Sequence, residues 1–356
     1  MPALPVTFFY PYPEGLSVLH HADLSDPAFW SHEGHGRRRA WLLQTYLRLR
    51  LEGHDVSISE TLPETGIVVL LPEPTAHTAF VRQYQPRHRQ LFILTVRADI
   101  FGFRSPLGDG DVVQNGRFAD NERTFFIPHW PQPGLVPRDP SRADRIESIV
   151  FKGGYGSLHT DYRSDAWSEF LAERGLTFRI ASAETEGAVP AWHDYRSADL
   201  NLAVRPLFGD GGLRCEKPAS KLVNAWHAGV PSILGPEYAY RELREDALDY
   251  IEVESLTETM EAIDRLLADR SLYRQMIAHG HVRAQAFTPT RITDRWAEVL
   301  FDRIPRIVST PAYRTSRRLP LSVRRLFNLV TRPPDPFEIR KHVGHLVRQA
   351  RRRLAG

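Results

Sequence analysis

Hydrophobic positions in this chain fall into short runs that alternate with stretches of helical spacing. Val6 to Tyr10 is an apolar run, followed by a loop containing Pro, His and Gly. From Arg37 to Glu52, Trp41, Leu42, Thr45, Tyr46 and Leu49 then share one helical face, and Gly53 stands just past its end. The spacing predicts a strand, a loop and a helix. "HDVSIS" and "GIVVLL" predict strands, a helix follows near Ala76 to Arg87, and "LFILTV", "DVVQN" and "RTFFIP" predict three more strands. After the proline-rich "PHWPQPGLVPRDPSR" the alternation restarts: "ESIVFKGG", a helix from Arg163 to Arg174, "TFRIAS" and "DLNLAV".

The next unit, "KPASKLVNAWHAGVPSILGPE" (Lys217 to Glu237), predicts a helix of about three turns, a turn and a buried strand. Pro218 suits the first helical position, and Leu222, Ala225, Trp226 and Gly229 share a face. "DYIEV" is a further strand. Helices follow over Ser255 to Asp269, Ser271 to Phe287 and Thr290 to Asp302, the first with Ser255 as N-cap and Glu258 three residues on. The implied class is α/β: two Rossmann-like, doubly wound halves, with ligands expected at the carboxyl ends of the strands and in the cleft between the halves. The expected divisions are 1–130 for the first half, 131–145 for an interdomain linker and 146–303 for the second half. Residues 304–356 are expected to form a basic helical tail.

Composition sharpens this outline. The chain has 356 residues, 42% hydrophobic and 25% charged, enough for two cores in a globular protein. One cysteine, Cys215, excludes an internal disulfide framework and a Cys-rich zinc site, and it fits a reducing cytoplasm. No apolar run reaches membrane-spanning length, and "MPALPVTFFYPYPEG" lacks the basic start and long apolar core of a signal peptide. From residue 304 onward thirteen Arg and Lys face two acids, a net of +11 within an overall +3, so the preceding chain carries −8. In this tail Leu321, Val323, Leu326, Phe327 and Val330 interleave with arginines, and Phe337, Ile339, Val343, Leu346 and Val347 repeat the pattern beyond Pro333-Pro334. Two basic amphipathic helices follow, suited either to an anionic membrane surface or to docking on the protein's own body. Nucleic acid is not expected as a partner, because no stacking aromatic pattern accompanies the arginines.

Chemistry concentrates at the start of the Lys217 to Glu237 unit. Unpaired N–H groups and the positive end of a helix dipole gather near Pro218 to Lys221, and Lys217, Ser220 and Lys221 add two charges and a hydroxyl there. Lysines in a first turn oppose the dipole unless an anion is present, so the stretch suits a phosphate, the alternative being a helix whose lysines are simply solvated. "KGGYGS" (Lys152 to Ser157) places Gly153 and Gly154 in a loop after a strand, and Arg205 follows "DLNLAV" at another strand end. Trp192 and His193 stand before "DYRSADL", where they either wall a nucleotide pocket or pack. The cluster His20, His21, Asp23, His32 and His35 matches no common metal-ligand spacing, and no metal is expected.

Three stretches resemble nucleotide-sugar glycosyltransferases of the GT-B fold: "GHGRRRAWLLQTYLRLRLEGHDVSI", the order "VVQN" then "FIPHW", and above all "EKPASKLVNAWHAGVPSILGP" followed by "YREL". The resemblance covers residues 1 to 303. It implies donor contacts from Lys217, Ser220, Lys221, Asn224, Tyr240 and Glu242, with a UDP-, GDP- or dTDP-sugar as donor substrate and no other cofactor. Many retaining members carry two glutamates eight positions apart at this place; here the pair is Glu216 and Asn224, and Asn lacks the carboxylate's charge. The motif is similar to that of inverting fucosyltransferases as well, so stereochemistry stays open. An inverting reaction needs a general base, for which His35, between two glycines, and His129, in "IPHWPQP", are the candidates. The function implied is sugar transfer to a glycan or lipid-linked acceptor in surface or exported polysaccharide synthesis, by a cytoplasmic protein peripheral to the inner face of the membrane. The alternatives are a sugar-nucleotide epimerase of the same fold and a non-catalytic membrane-associated scaffold.

Overall fold

The structure is a computed structural model that describes residues 4–31, 36–98, 104–120, 122–187, 189–206 and 217–331. The chain divides into two compact units. The described residues of 1–21, 37–128 and 292–356 form the first, and those of 22–36 and 129–291 form the second.

In the first unit the strands are β1 (Val6–Phe9), β2 (Val56–Ser59), β3 (Gly66–Leu70), β4 (Leu91–Arg97), β5 (Gly110–Val113) and β6 (Thr124–Phe126). All pairings are parallel, in the order β2-β1-β3-β4-β5-β6. Parallel strands covered on both faces are continuously apolar, and β1, β3 and β4 are buried almost throughout. That is why "GIVVLL" and "LFILTV" were legible as strands. Helix α1 (36–51) is α-helical over Gln44–Leu51 after a π turn at Arg39–Leu43, and it buries Trp41, Leu42 and Leu49. Helix α2 (Thr78–Arg87) places Phe80 and Tyr84 in a core cluster with Phe9, Val68, Leu70 and Ile93.

The second unit has β7 (Ser148–Lys152), helix α3 (Asp165–Glu173), β8 (Thr177–Ala181), β9 (Leu200–Ala203), α4 (Ser220–Ala228), β10 (Ser232–Leu234) and β11 (Ile251–Glu252). Helices α5 (Leu256–Ala268) and α6 (Arg270–Ala284) follow. Its sheet is also parallel, ordered β11-β10-β9-β7-β8. One core packs Ile149, Phe151, Leu202, Leu222, Trp226 and Ile233, and a second holds Val150, Tyr195, Ala225 and Val230. The Ser255 cap is formed: its hydroxyl accepts from Glu258 N–H at 3.1 Å, while the Glu258 carboxylate accepts from Glu254 N–H at 2.7 Å.

Two expectations about domain limits change. The 131–145 stretch, read as an interdomain linker, is docked within the second unit: Arg138 N–H donates to Ala228 O, and Val136 bridges to Asp194. Buried Asp199 accepts from Arg138 Nε, from both ends of Arg142 and from the backbone N–H groups of Glu147 and Ser148, all at 2.6–3.0 Å. Proline richness signalled irregular backbone without telling that its arginines had a buried carboxylate to bind. The second limit moves from 303 to 291, inside helix α7 (Pro289–Glu298), from which the chain returns to the first unit.

The tail begins with a short helix at Ile304–Ser309, followed by α8 (Pro311–Arg318) and α9 (Leu321–Thr331); only α9 matches an expected helix, and the second expected helix lies outside the described residues. Helices α8 and α9 dock on the first unit. Asp109 Oδ1 accepts from Arg317 at 2.9 Å and Arg324 at 2.7 Å, and Tyr313 stacks on Phe92 with centroids 5.8 Å apart. Both helices thus dock on the body, but α9 does so through Leu321, Arg324 and Asn328, while the apolar face expected to be buried by docking stays exposed. Among the described residues no helix is long and apolar enough to cross a membrane.

Candidate active site

The carboxyl ends of the second sheet's parallel strands share one edge. Strand order reverses between β7 and β9, and ligands of doubly wound sheets bind at such a switch point. Gly153-Gly154 leave β7 there and Val204-Arg205 leave β9. Helix α4 starts at the same place. Its N-cap is Ala219, which has no side-chain hydrogen bond to offer, so the first N–H groups of the helix lack a side-chain cap. Pro218 therefore sits two residues before the first helical position, Ser220, because Ala219, with ψ of 23°, is not yet helical. At the other end Gly229 takes φ of 68°, the left-handed stop expected of it.

Lys221 reaches from the first turn of α4 back to the β7 loop. A Cβ built on Gly153 would stand 3.1 Å from both Lys221 Cε and Nζ, and the Nζ lies 5.5 Å from the Phe151 ring centre. Glycine at 153 is what lets the ammonium lie over the loop. Lys217 and Ser220 flank it at the helix start, both half-buried. Three sequence elements thus converge: the glycine loop, the lysines and a helix N-terminus without a side-chain cap. Dipole, N–H donors and ammonium all favour an anion at this point.

Arg205 is buried, and its Nε donates to Glu237 Oε1 at 2.9 Å. Arg205 borders a cavity of about 100 Å³ lined also by His159, Asp161, Pro236, Glu254 and Ser255, at the ends of β9, β10 and β11. Sequence reading named Arg205 but missed Glu237 and His159. A glutamate just past an apolar strand was the available signal for the first; nothing local marks the second.

Lys152, the last residue of β7, is also buried. Its Nζ donates to Ala191 O and Asp194 O, both at 2.7 Å, and lies 4.4 Å from the Tyr195 ring centre. Burial first, then repulsion from Arg179, pushes its pKa down to about 7. A neutral amine still has two N–H donors, matching the two carbonyls. Lys152 thus clasps the 190–195 segment to the strand beside Gly153. Trp192 and His193 belong to that segment: Trp192 Nε1 donates to Ala181 O at 2.9 Å, and burial lowers the His193 pKa.

Solved structures share the overall fold, whereas no family model matches the sequence and no curated protein matches it. A glycosyltransferase from Rickettsia africae ESF-5 aligns with a TM-score of 0.51 at 9% identity, over 85% of this chain and 99% of that one. Anabaena HepE, in complex with UDP and glucose, aligns at 0.47 and 11% identity over 83% and 99%. The chain spans 60% of the length of the GtfA/B chain it matches, at a TM-score of 0.43 and 14% identity, and 58% of TarM.

The chain has the GT-B fold.

Within the GT-B fold the remaining expected residues are placed as follows. Asn224, in α4, is buried, and its side-chain oxygen accepts from Gln132 N–H at 2.9 Å. It anchors the 129–136 segment, a structural engagement that a ribose contact would have to share. Tyr240 is fully buried edge-on to Tyr250, and burial pushes its phenol pKa up strongly. Its phenol also faces the Arg205–Glu237 pair. Glu242 is exposed just beyond the short helix Tyr238–Arg241. His129, where the second unit resumes, engages Trp130 O through Nδ1 at 2.7 Å. His35 and Glu216 lie outside the described residues.

At the carboxyl edge of the first sheet the sequence concealed a polar cluster. Tyr10 Oη donates to Glu14 at 2.8 Å, Arg38 pairs with Glu14 at 3.2 Å, and the Arg38 guanidinium lies 4.7 Å from the Tyr12 ring centre. Arg37 pairs with Glu73. These arginines begin α1 in "GHGRRR", a run first noticed only for its glycines.

Proposed function

We propose that this chain is a glycosyltransferase that moves a sugar from a nucleotide-diphosphate donor to a glycan or lipid-linked acceptor during synthesis of a surface or exported polysaccharide. The observation that carries the proposal is the contact of Lys221 with Gly153 at the start of α4. During transfer the bond from the anomeric carbon to the β-phosphate oxygen breaks, and its electron pair leaves with the diphosphate. Positive charge grows on the sugar ring while negative charge grows on the leaving group. Preorganised donors aimed at that leaving charge lower the barrier without reorganising during the reaction. Lys221, Lys217, the Ser220 hydroxyl and the first N–H groups of α4 fill that role, with Gly153-Gly154 allowing close backbone approach.

The Arg205 cavity is assigned to the nucleoside end of the same donor. The proton of the acceptor hydroxyl goes to a base from the histidines His35 or His129 if the anomeric centre inverts. Glu216 is assigned to the hydroxyls of the transferred sugar. The protein is placed at the cytoplasmic face of a membrane, where a lipid-borne acceptor would be met.

Donor hydrolysis tests the reaction without knowledge of the acceptor, since water can take the acceptor's place. Labelled UDP-, GDP- and dTDP-sugars are incubated with the protein and release of free diphosphate is followed. Turnover of one donor class, lost in Lys221→Ala, is expected. Equal release by both proteins would remove Lys221 from the chemistry.

A further inference from the structure

Helix α9 is mounted inside out. Its side chains toward the body are Leu321, Arg324 and Asn328, at spacing i, i+3, i+7. Leu321 packs on the first unit's core cluster; Arg324 donates to Asp109 and to His88 O; Asn328 donates to Pro106 O and Gly108 O. The apolar stripe Val323, Leu326, Phe327 and Val330, at i, i+3, i+4, i+7, faces solvent, with exposures of 44%, 63%, 47% and 70%. A helix seated by hydrophobic burial alone would turn this stripe inward. Here a buried carboxylate shared by Arg317 and Arg324 fixes the opposite orientation.

Contiguous exposed apolar side chains on an otherwise polar surface mark an interaction site. Charge identifies the partner. Arg318 and Arg325 are exposed beside the stripe, and the sequence after Thr331 adds seven Arg and Lys against two acids. We propose that the outward face of α9 inserts Val323, Leu326, Phe327 and Val330 into the interface of an anionic lipid bilayer, with the arginines on its headgroups. Long basic side chains reach headgroups while neighbouring apolar groups enter the acyl boundary, and each basic residue near an anionic surface adds attraction that salt screens. Asp109 acts as the positioning residue: by holding Arg317 and Arg324 it keeps the apolar face outward. This deepens the lipid-linked reading above, but vesicle binding involves no sugar transfer, so either can fail alone.

The test is co-sedimentation of the full chain with vesicles of phosphatidylcholine alone and of phosphatidylcholine mixed with phosphatidylglycerol, at low and high salt. The comparison protein is the double variant Leu326→Ser, Phe327→Ser. Both positions are exposed, so the variant should keep its thermal transition. Expected is salt-sensitive binding to the anionic vesicles only, weakened at least tenfold in the variant. Binding by the variant equal to wild type would overturn the proposal, because the arginines alone would then suffice. Absence of binding by the wild type would also overturn it. So would loss in the variant of a self-association present in the wild type without vesicles, which would assign the face to a second copy of the chain.

Discussion

Lys221 and Gly153 lie 68 positions apart in sequence, yet the lysine's ammonium stands where a side chain at 153 would begin, 3.1 Å from the Cβ position. Phe151 closes the other side at 3.3 Å. Gly153→Val would therefore push the end of Lys221 out of the loop or force the Phe151 ring to move. Gly153 also holds φ of 158°, which L side chains rarely adopt, so some loss of stability accompanies the expected weakening of donor binding of at least tenfold, about 1.4 kcal/mol. Titration of the variant with the wild type's preferred diphosphate checks this, and unchanged affinity would show that Lys221 does not need its place over the loop.

Asp109 compensates two buried arginines from the tail. Asp109→Ala would leave both guanidinium groups buried without that carboxylate, a change that costs about 3–5 kcal/mol when one partner of a buried pair is removed. Denaturant unfolding should show this loss, together with protease sensitivity around 311–331. A loss below about 1 kcal/mol would mean that α8 and α9 are held by apolar contacts such as Tyr313 on Phe92.

Lys152 should leave a signature in the pH dependence of stability. Its folded pKa is lowered to about 7, below the ordinary value of 10.5, so between those two pH values the unfolded chain binds more protons than the folded one. Stability from this group must therefore rise with pH across that window, by at most about 1.4 kcal/mol per pH unit. Below pH 7 both states are protonated and the contribution is flat, at its least favourable level. Melting curves of wild type and Lys152→Met from pH 6 to 10 should diverge in slope across the window; parallel curves would mean that the lysine stays charged in its pocket.

Ser255 caps α5 through Glu258 N–H, so Ser255→Ala should cost about 1 kcal/mol. The same residue borders the Arg205 cavity. A loss of nucleotide affinity beyond that expected from stability would connect the cavity to the donor.

What the sequence disclosed follows from the range of the interactions involved. Strands such as Leu91–Arg97, the Ser255 cap, the Gly229 stop and the meeting of lysines with a helix start are written in neighbouring residues. Gly153 and Lys221 were each legible as phosphate-binding types, and the parallel sheet supplied the step that joins them. The tail was legible only as an amphipathic pattern. Which face turned inward depended on Asp109, 215 positions before Arg324, and periodicity alone favours the opposite face. The engagements of Asn224 and of the arginines of 131–145 are hidden in the sequence for the same reason. Their partners, Gln132 and Asp199, are distant in sequence and carry no local mark.

The most direct measurement is calorimetric titration of the wild type and of Lys221→Ala with UDP, GDP, dTDP and CMP. A charge-assisted contact to the diphosphate contributes about 1.5–3 kcal/mol, so one nucleoside diphosphate should bind the wild type selectively and the variant roughly ten- to a hundredfold more weakly. Binding of none of the four, or equal binding by both proteins, would contradict a donor site built on Lys221 and the Gly153 loop.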